Sequence, residues 1–171
     1  MKKSSLVLAA LTLMASASAF AQSSATATAS ANATVIRPIT LVKVTDLNFG
    51  SVVPSAAAGT VTVTPAGTRS VALGAGTAGA AGFNAASFTV GGEGAATYAI
   101  TLPAAAVVIT NGTDNMNVTG FTSTPAATGT ISGAPSTAGT QALNVGATLN
   151  LGINQNPGVY LGTFSVTVAY N

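Results

Sequence analysis

The sequence predicts an all-β protein, an antiparallel immunoglobulin-like β-sandwich that follows an N-terminal signal peptide. Three observations carry this. Beyond residue 34, larger apolar residues recur at every second position in short runs, and no segment after the leader keeps the 3.6-residue period of an amphipathic helix. The runs are separated by turn chemistry: PAG at 65–67, GG at 91–92, NG at 111–112, SGAP at 132–135 and NPG at 156–158. Their spacing gives roughly eight to ten short strands, the pattern of a sandwich or barrel. No internal repeat is visible, which argues against a solenoid or propeller.

The first element is the leader, MKKSSLVLAALTLMASASAFAQ. Lys2 and Lys3 precede an apolar run, and Ala19 and Ala21 set a small-residue cleavage site before Gln22. Export through the Sec pathway to the periplasm, cell surface or extracellular space is expected. The run from Leu6 to Met14 is too short to cross about 30 Å of hydrocarbon, and no later stretch supplies the roughly 20 apolar residues a span needs. No transmembrane segment is therefore expected in the mature chain.

Removing Lys2 and Lys3 leaves Arg37, Lys43 and Arg69 against Asp46, Glu93 and Asp114. A neutral chain has neither the basic footprint of a nucleic-acid binder nor a polybasic membrane patch. Its surface must be built from Thr, Ser, Asn, Ala and Gly, so electrostatic repulsion offers little resistance to self-association. The chain has no cysteine, so sheet pairing and apolar burial must hold it together without disulfides.

Three regions follow: the signal peptide 1–21, an Ala/Thr-rich extension 22–34 and a β-sandwich domain 35–171. In the extension, Ala25, Ala27, Ala29, Ala31 and Ala33 alternate with Thr, Ser and Asn, a pattern that fits both an extended segment and a flexible linker. The first strong strand region is TVIRPITLVKVTDLNFGSVVPS, where Pro38 removes one ladder donor and predicts an edge or a bend. Shorter alternations follow at Val61/Val63, Val71/Leu73, Phe88/Val90, Tyr98/Ile100/Leu102 and Met116/Val118, then the long run Leu143, Val145, Ala147, Leu149, Leu151. Residues 74–87 and 121–140 hold few large apolar side chains and read as long loops.

Reactive chemistry is sparse. Histidine, cysteine and tryptophan are all missing, which removes the usual proton shuttle, the thiol nucleophile and the strongest metal-binding side chains. Asp46, Glu93 and Asp114 are isolated, with no local carboxylate pair. TDNMN at 113–117 lacks the glycine and bidentate glutamate of a calcium loop and reads as a hairpin turn. GGEG and GAGTAG open no helix and carry no lysine, so neither is a phosphate loop. Thr60, Thr62 and Thr64 form one threonine row, the ordinary outer face of a strand. No enzyme activity, cofactor or metal is expected.

The terminal segment GVYLGTFSVTVAYN sets Tyr160, Phe164, Val166, Val168 and Tyr170 on one face. Full burial of these five side chains would contribute about 8–15 kcal/mol. Together with TDLNFGSVVPS, GGEGAATYAITLP and LNVGATLNLG, this segment resembles the domain-of-unknown-function 4402 family of secreted bacterial β-sandwich proteins. The resemblance covers nearly the whole mature chain and implies fold and export rather than an activity. Gly158 fourteenth from the end, apolar alternation through Tyr160, Phe164, Val166 and Val168, and the penultimate Tyr170 are also similar to the C-terminal strand of chaperone–usher pilins. That likeness implies a periplasmic chaperone, an usher and related subunits as partners, with Ala25, Ala27, Ala29, Ala31, Ala33 and Val35 as the donor segment. The expected function is a structural subunit of a surface fibre built by strand addition; the alternative is a monomeric extracellular binding or matrix module with ligand contacts on 74–87 and 121–140.

Overall fold

A computed structural model describes residues 24–79 and 82–171. The cleavage residues Ala19, Ala21 and Gln22 lie outside the described residues. Residues 24–34 carry neither helix nor strand and are exposed. The rest is all-β: fourteen strands and no helix among the described residues.

In chain order the strands are β1 Thr40–Thr45, β2 Asn48–Phe49, β3 Val52–Val53, β4 Gly59–Val63, β5 Arg69–Leu73, β6 Gly76–Thr77 and β7 Phe83–Asn84. They continue with β8 Ala86–Glu93, β9 Thr97–Thr101, β10 Val107–Thr110, β11 Asn115–Thr124, β12 Thr128–Thr130, β13 Ala138–Leu151 and β14 Thr167–Tyr170. Every pairing is antiparallel.

β13 organises the fold because its alternation is the longest in the sequence: Leu143, Val145, Ala147, Leu149 and Leu151 are all buried. Its first part, Ala138 to Val145, pairs with β8, and its last part, Ala147 to Leu151, pairs with β4 on the same edge. β11 runs along the other edge. The seven-stranded sheet therefore forks at Gly146. A Cβ there would run into the Val63 carbonyl, so the fork requires glycine, the usual meaning of a strand glycine where another backbone comes close. A second irregularity, the register shift in β11 between Thr119 and Thr122, contains Gly120 at φ +60°.

Two apolar clusters fill the sandwich. The upper one, around Val90, Tyr98, Ile131, Leu143 and Val145, lies beneath the small sheet β12–β9–β14. Tyr98 is fully buried, its hydroxyl donates to Gln141 Oε1 at 2.8 Å, and desolvation pushes its phenol pKa up. The lower cluster, around Val61, Val63, Met116, Val118, Leu149 and Leu151, is faced by Phe49 of the β2–β7 ribbon, Val52 of the β3–β6 ribbon and Tyr160. The second layer is thus continuous at one end and broken into short ribbons at the other.

Pro38 lies just before β1, and β1 is an edge strand, as expected. The reading of 74–87 and 121–140 as loops is corrected. They contain β6, β7, the end of β11, β12 and the start of β13. Backbone ladders order these stretches without large side chains: β12 pairs Gly129 with buried Tyr98.

Candidate functional site

The terminal segment follows its predicted alternation. Tyr160, Phe164, Val166, Val168 and Tyr170 face inward, while Thr163, Ser165, Thr167 and Ala169 are exposed. Phe164, Val166, Val168 and Tyr170 pack on the upper cluster and Tyr160 on the lower one. Each inward side chain is partly rather than fully buried, so their joint contribution falls below the full-burial figure. Only Thr167–Tyr170 forms a ladder, with β9. Leu161 makes a two-bond antiparallel bridge to Thr110, 2.9 Å each way, and residues 162–166 belong to no strand. Gly158 lies exposed in the approach, and Tyr160 is fixed there by its hydroxyl, which donates to the Asn156 carbonyl at 2.8 Å and accepts from Gln155 Nε2 at 2.9 Å.

Beside this segment lies an open groove of about 1000 Å³. One wall is residues 43–54, the other 155–164, and the floor is core: Ala86, Phe88, Met116, Val118, Phe121, Leu149 and Leu151. Phe121 and Phe164 meet across it, ring centroids 5.0 Å apart and tilted 40°. Among the described residues its only charged lining side chains, Lys43 and Asp46, neutralise each other through a 2.6 Å ion pair. Both walls leave backbone pairing capacity to spare among the described residues: β1 has a partner on one side only, and residues 162–166 belong to no ladder. The rim is apolar, with Val159 76% and Leu161 71% exposed. A largely apolar channel without net charge, flanked by an edge strand and by a segment outside any ladder, can receive one further strand.

Tyr170 does more than pack. Its hydroxyl donates to the Arg37 carbonyl at 2.9 Å and accepts from the Glu93 N–H at 2.8 Å. Glu93 Oε2 in turn accepts from the Arg37 backbone N–H at 3.3 Å and guanidinium at 3.0 Å, and Oε1 accepts from the Ser136 N–H. The Arg37 N–H, then its guanidinium and the Ser136 N–H, hold the Glu93 carboxyl below its ordinary pKa against desolvation. Glu93, isolated in the sequence, is the end of β8 and the one buried charged side chain among the described residues.

Of the anticipated donor positions, Ala25, Ala27, Ala29, Ala31 and Ala33 are exposed, and Val35 is 95% exposed. The three acids stay apart, Asp46 on Lys43, Glu93 on Arg37 and Asp114 on Asn156. Among the described residues no three His, Cys, Asp or Glu side chains come together, and no helix is long and apolar enough to cross a membrane. Sequence reasoning missed the groove, Arg37 and Glu93. The signal for the groove was present: Val159 and Leu161 make GVYLGTF apolar on both faces, which a strand with one face in water does not need.

A family described as a domain of unknown function (DUF4402) matches the chain over residues 39–170. No curated protein and no solved structure matches it.

Proposed function

We propose that this chain, which belongs to the DUF4402 family, is an exported, non-enzymatic subunit that builds a surface fibre by β-strand addition, its groove receiving the N-terminal arm of a second copy. The observation that carries this is the largely apolar groove, without net charge, between residues 43–54 and 155–164, where the sandwich's second layer is broken.

Strand polarity favours a donor from another copy. β13 runs from the Tyr170 end of the domain, where Ala138 pairs with Glu93, towards the groove end at Leu151. The terminal segment runs the opposite way, from Leu161 beside Thr110 up to Tyr170 beside Tyr98. The arm's root, Arg37, is at the Tyr170 end. An arm folding back into its own groove would run parallel to residues 158–166 and antiparallel to β1, whereas the arm of a second copy entering at the Leu151 end runs antiparallel to residues 158–166, the wall that lacks a ladder, and parallel to β1, which already pairs with β8. All ladders of this fold are antiparallel, and such ladders need no crossover connection. The groove follows β13 from the level of Leu143 to Leu151, ~26 Å at ~3.3 Å per residue.

Val35 and Ile36, with about 1.5–3 kcal/mol each on burial, would anchor the arm, and each alanine methyl would add about 0.8 kcal/mol. A periplasmic chaperone covering the groove before assembly, and an usher, fit the same reading. Deleting residues 22–34 from the mature chain is expected to abolish high-mass species on sizing columns and fibres in negative stain; their persistence would overturn the reading. A second reading, a monomeric binding module, draws on the groove's volume, which lies at the upper end of small-ligand pockets. It requires a stable monomer with or without residues 22–34.

A further inference from the structure

The contacts of Tyr170, Arg37 and Glu93 join three chain regions that are remote in sequence: the root of the arm, the end of β8 and the C-terminal strand. β8 belongs to the large sheet and β14 to the small one, so the bonds meeting at Arg37 tie both layers of the sandwich to one point. That point is where the exposed arm enters the domain.

We infer that this cluster is a mechanical clasp, which passes tension arriving through the arm into both sheets at once before β1 is strained. The inference rests on the assembly reading for its biological use, while the mechanics belong to the single domain. Tension drawn from the arm at one end, against the groove held at the other, pulls β1 along its own axis and past β8. Without the clasp, β1 meets this load alone. It is an edge strand held on one side, its ladder with β8 shifts register between Lys43 and Thr45, and Val42 and Val44 on it are exposed.

With the clasp, the first bonds loaded are those of Arg37: its N–H and guanidinium on Glu93 Oε2, and its carbonyl under the Tyr170 hydroxyl. Two of these end on an ionised carboxylate, the stronger class of hydrogen bond. Glu93 is held from its other oxygen by the Ser136 N–H, and Tyr170 is seated by the Glu93 N–H and by its ring on the upper cluster. The anchors are therefore fixed independently of β1. This explains a buried charge in a chain whose surface is nearly free of them.

The chain has no cysteine, so introduced handles are unambiguous. The test is single-molecule pulling on the mature protein between Ser24→Cys and Ile153→Cys, which loads the clasp, and between Val44→Cys and Ile153→Cys, which bypasses it. Forced unfolding reports the rate of the opening step. Tyr170→Phe, which keeps the ring and loses both hydroxyl bonds, and Glu93→Gln are expected to speed the first opening at fixed force about tenfold in the clasp-loaded geometry. The bypass geometry is expected to be unchanged. Equal acceleration in both geometries would mean general destabilisation and overturn the clasp, as would unchanged opening in the loaded geometry. Because the single domain is pulled, a chain that forms no fibres yet shows the difference keeps the clasp and loses only the assembly reading.

Discussion

Leu149 and Val61 face each other across the β13–β4 ladder, and neither keeps more than 2% of its surface exposed. On the other edge Leu149 is opposite Val118 of β11, so one leucine ties three strands of the large sheet into the lower cluster. Leu149→Ala is expected to lower unfolding free energy by about 2–5 kcal/mol, the transfer and cavity cost of a buried leucine. Urea denaturation of the mature protein checks this, with the midpoint falling at unchanged slope.

The fork of the sheet makes a sharper demand. Gly146→Ala places a methyl against the Val63 carbonyl and the Thr64–Pro65 backbone, none of which can swing away as a side chain does. A loss of several kcal/mol is expected, at the severe end of single substitutions. Gly67→Ala is the comparison: φ is +76° there with nothing within 4 Å, so only local backbone strain is incurred, about 1–2 kcal/mol. Thermal melting of the two variants orders them.

These two positions show what the sequence discloses. Period-two alternation announced β13, β4, β9 and the inward face of the terminal segment, because side-chain direction in a strand depends only on local geometry. The fork at Gly146 and the ribbons within 74–87 depend on which backbone approaches which, and β12 is ordered by its ladder to Tyr98 rather than by its own side chains. The groove was hidden for a related reason: it is a space between segments remote in sequence, and only the exposed apolar Val159 and Leu161 hint at it. Glu93 looked isolated because its cation, Arg37, lies 56 residues away in sequence.

Glu93 makes stability depend on pH in a fixed direction. Its folded-state pKa is lowered, so its contribution is fully present above the unfolded carboxyl value, about 4.3, and is lost as pH falls through the folded value. Stability of the wild type minus that of Glu93→Gln should therefore stay constant from pH 7 to about 5 and shrink on further acidification. Denaturant titrations of both proteins across that range check the sign.

Rim substitutions separate assembly from folding. Val159→Lys and Leu161→Lys alter exposed side chains, so the monomer's stability should change by no more than about 0.5 kcal/mol. A lysine at the mouth of an uncharged groove opposes entry of an apolar strand, and high-mass species on a sizing column should disappear.

Cross-linking between two chains tests strand addition most directly. The mature chain carrying Val35→Cys is mixed with a differently tagged chain carrying Leu161→Cys, assembled, and oxidised. A disulfide between the two tagged chains is expected, because an arm entering at the Leu151 end, antiparallel to residues 158–166, brings position 35 beside position 161. Absence of that link, or a link formed instead within one chain carrying Ala27→Cys and Leu161→Cys, would contradict it.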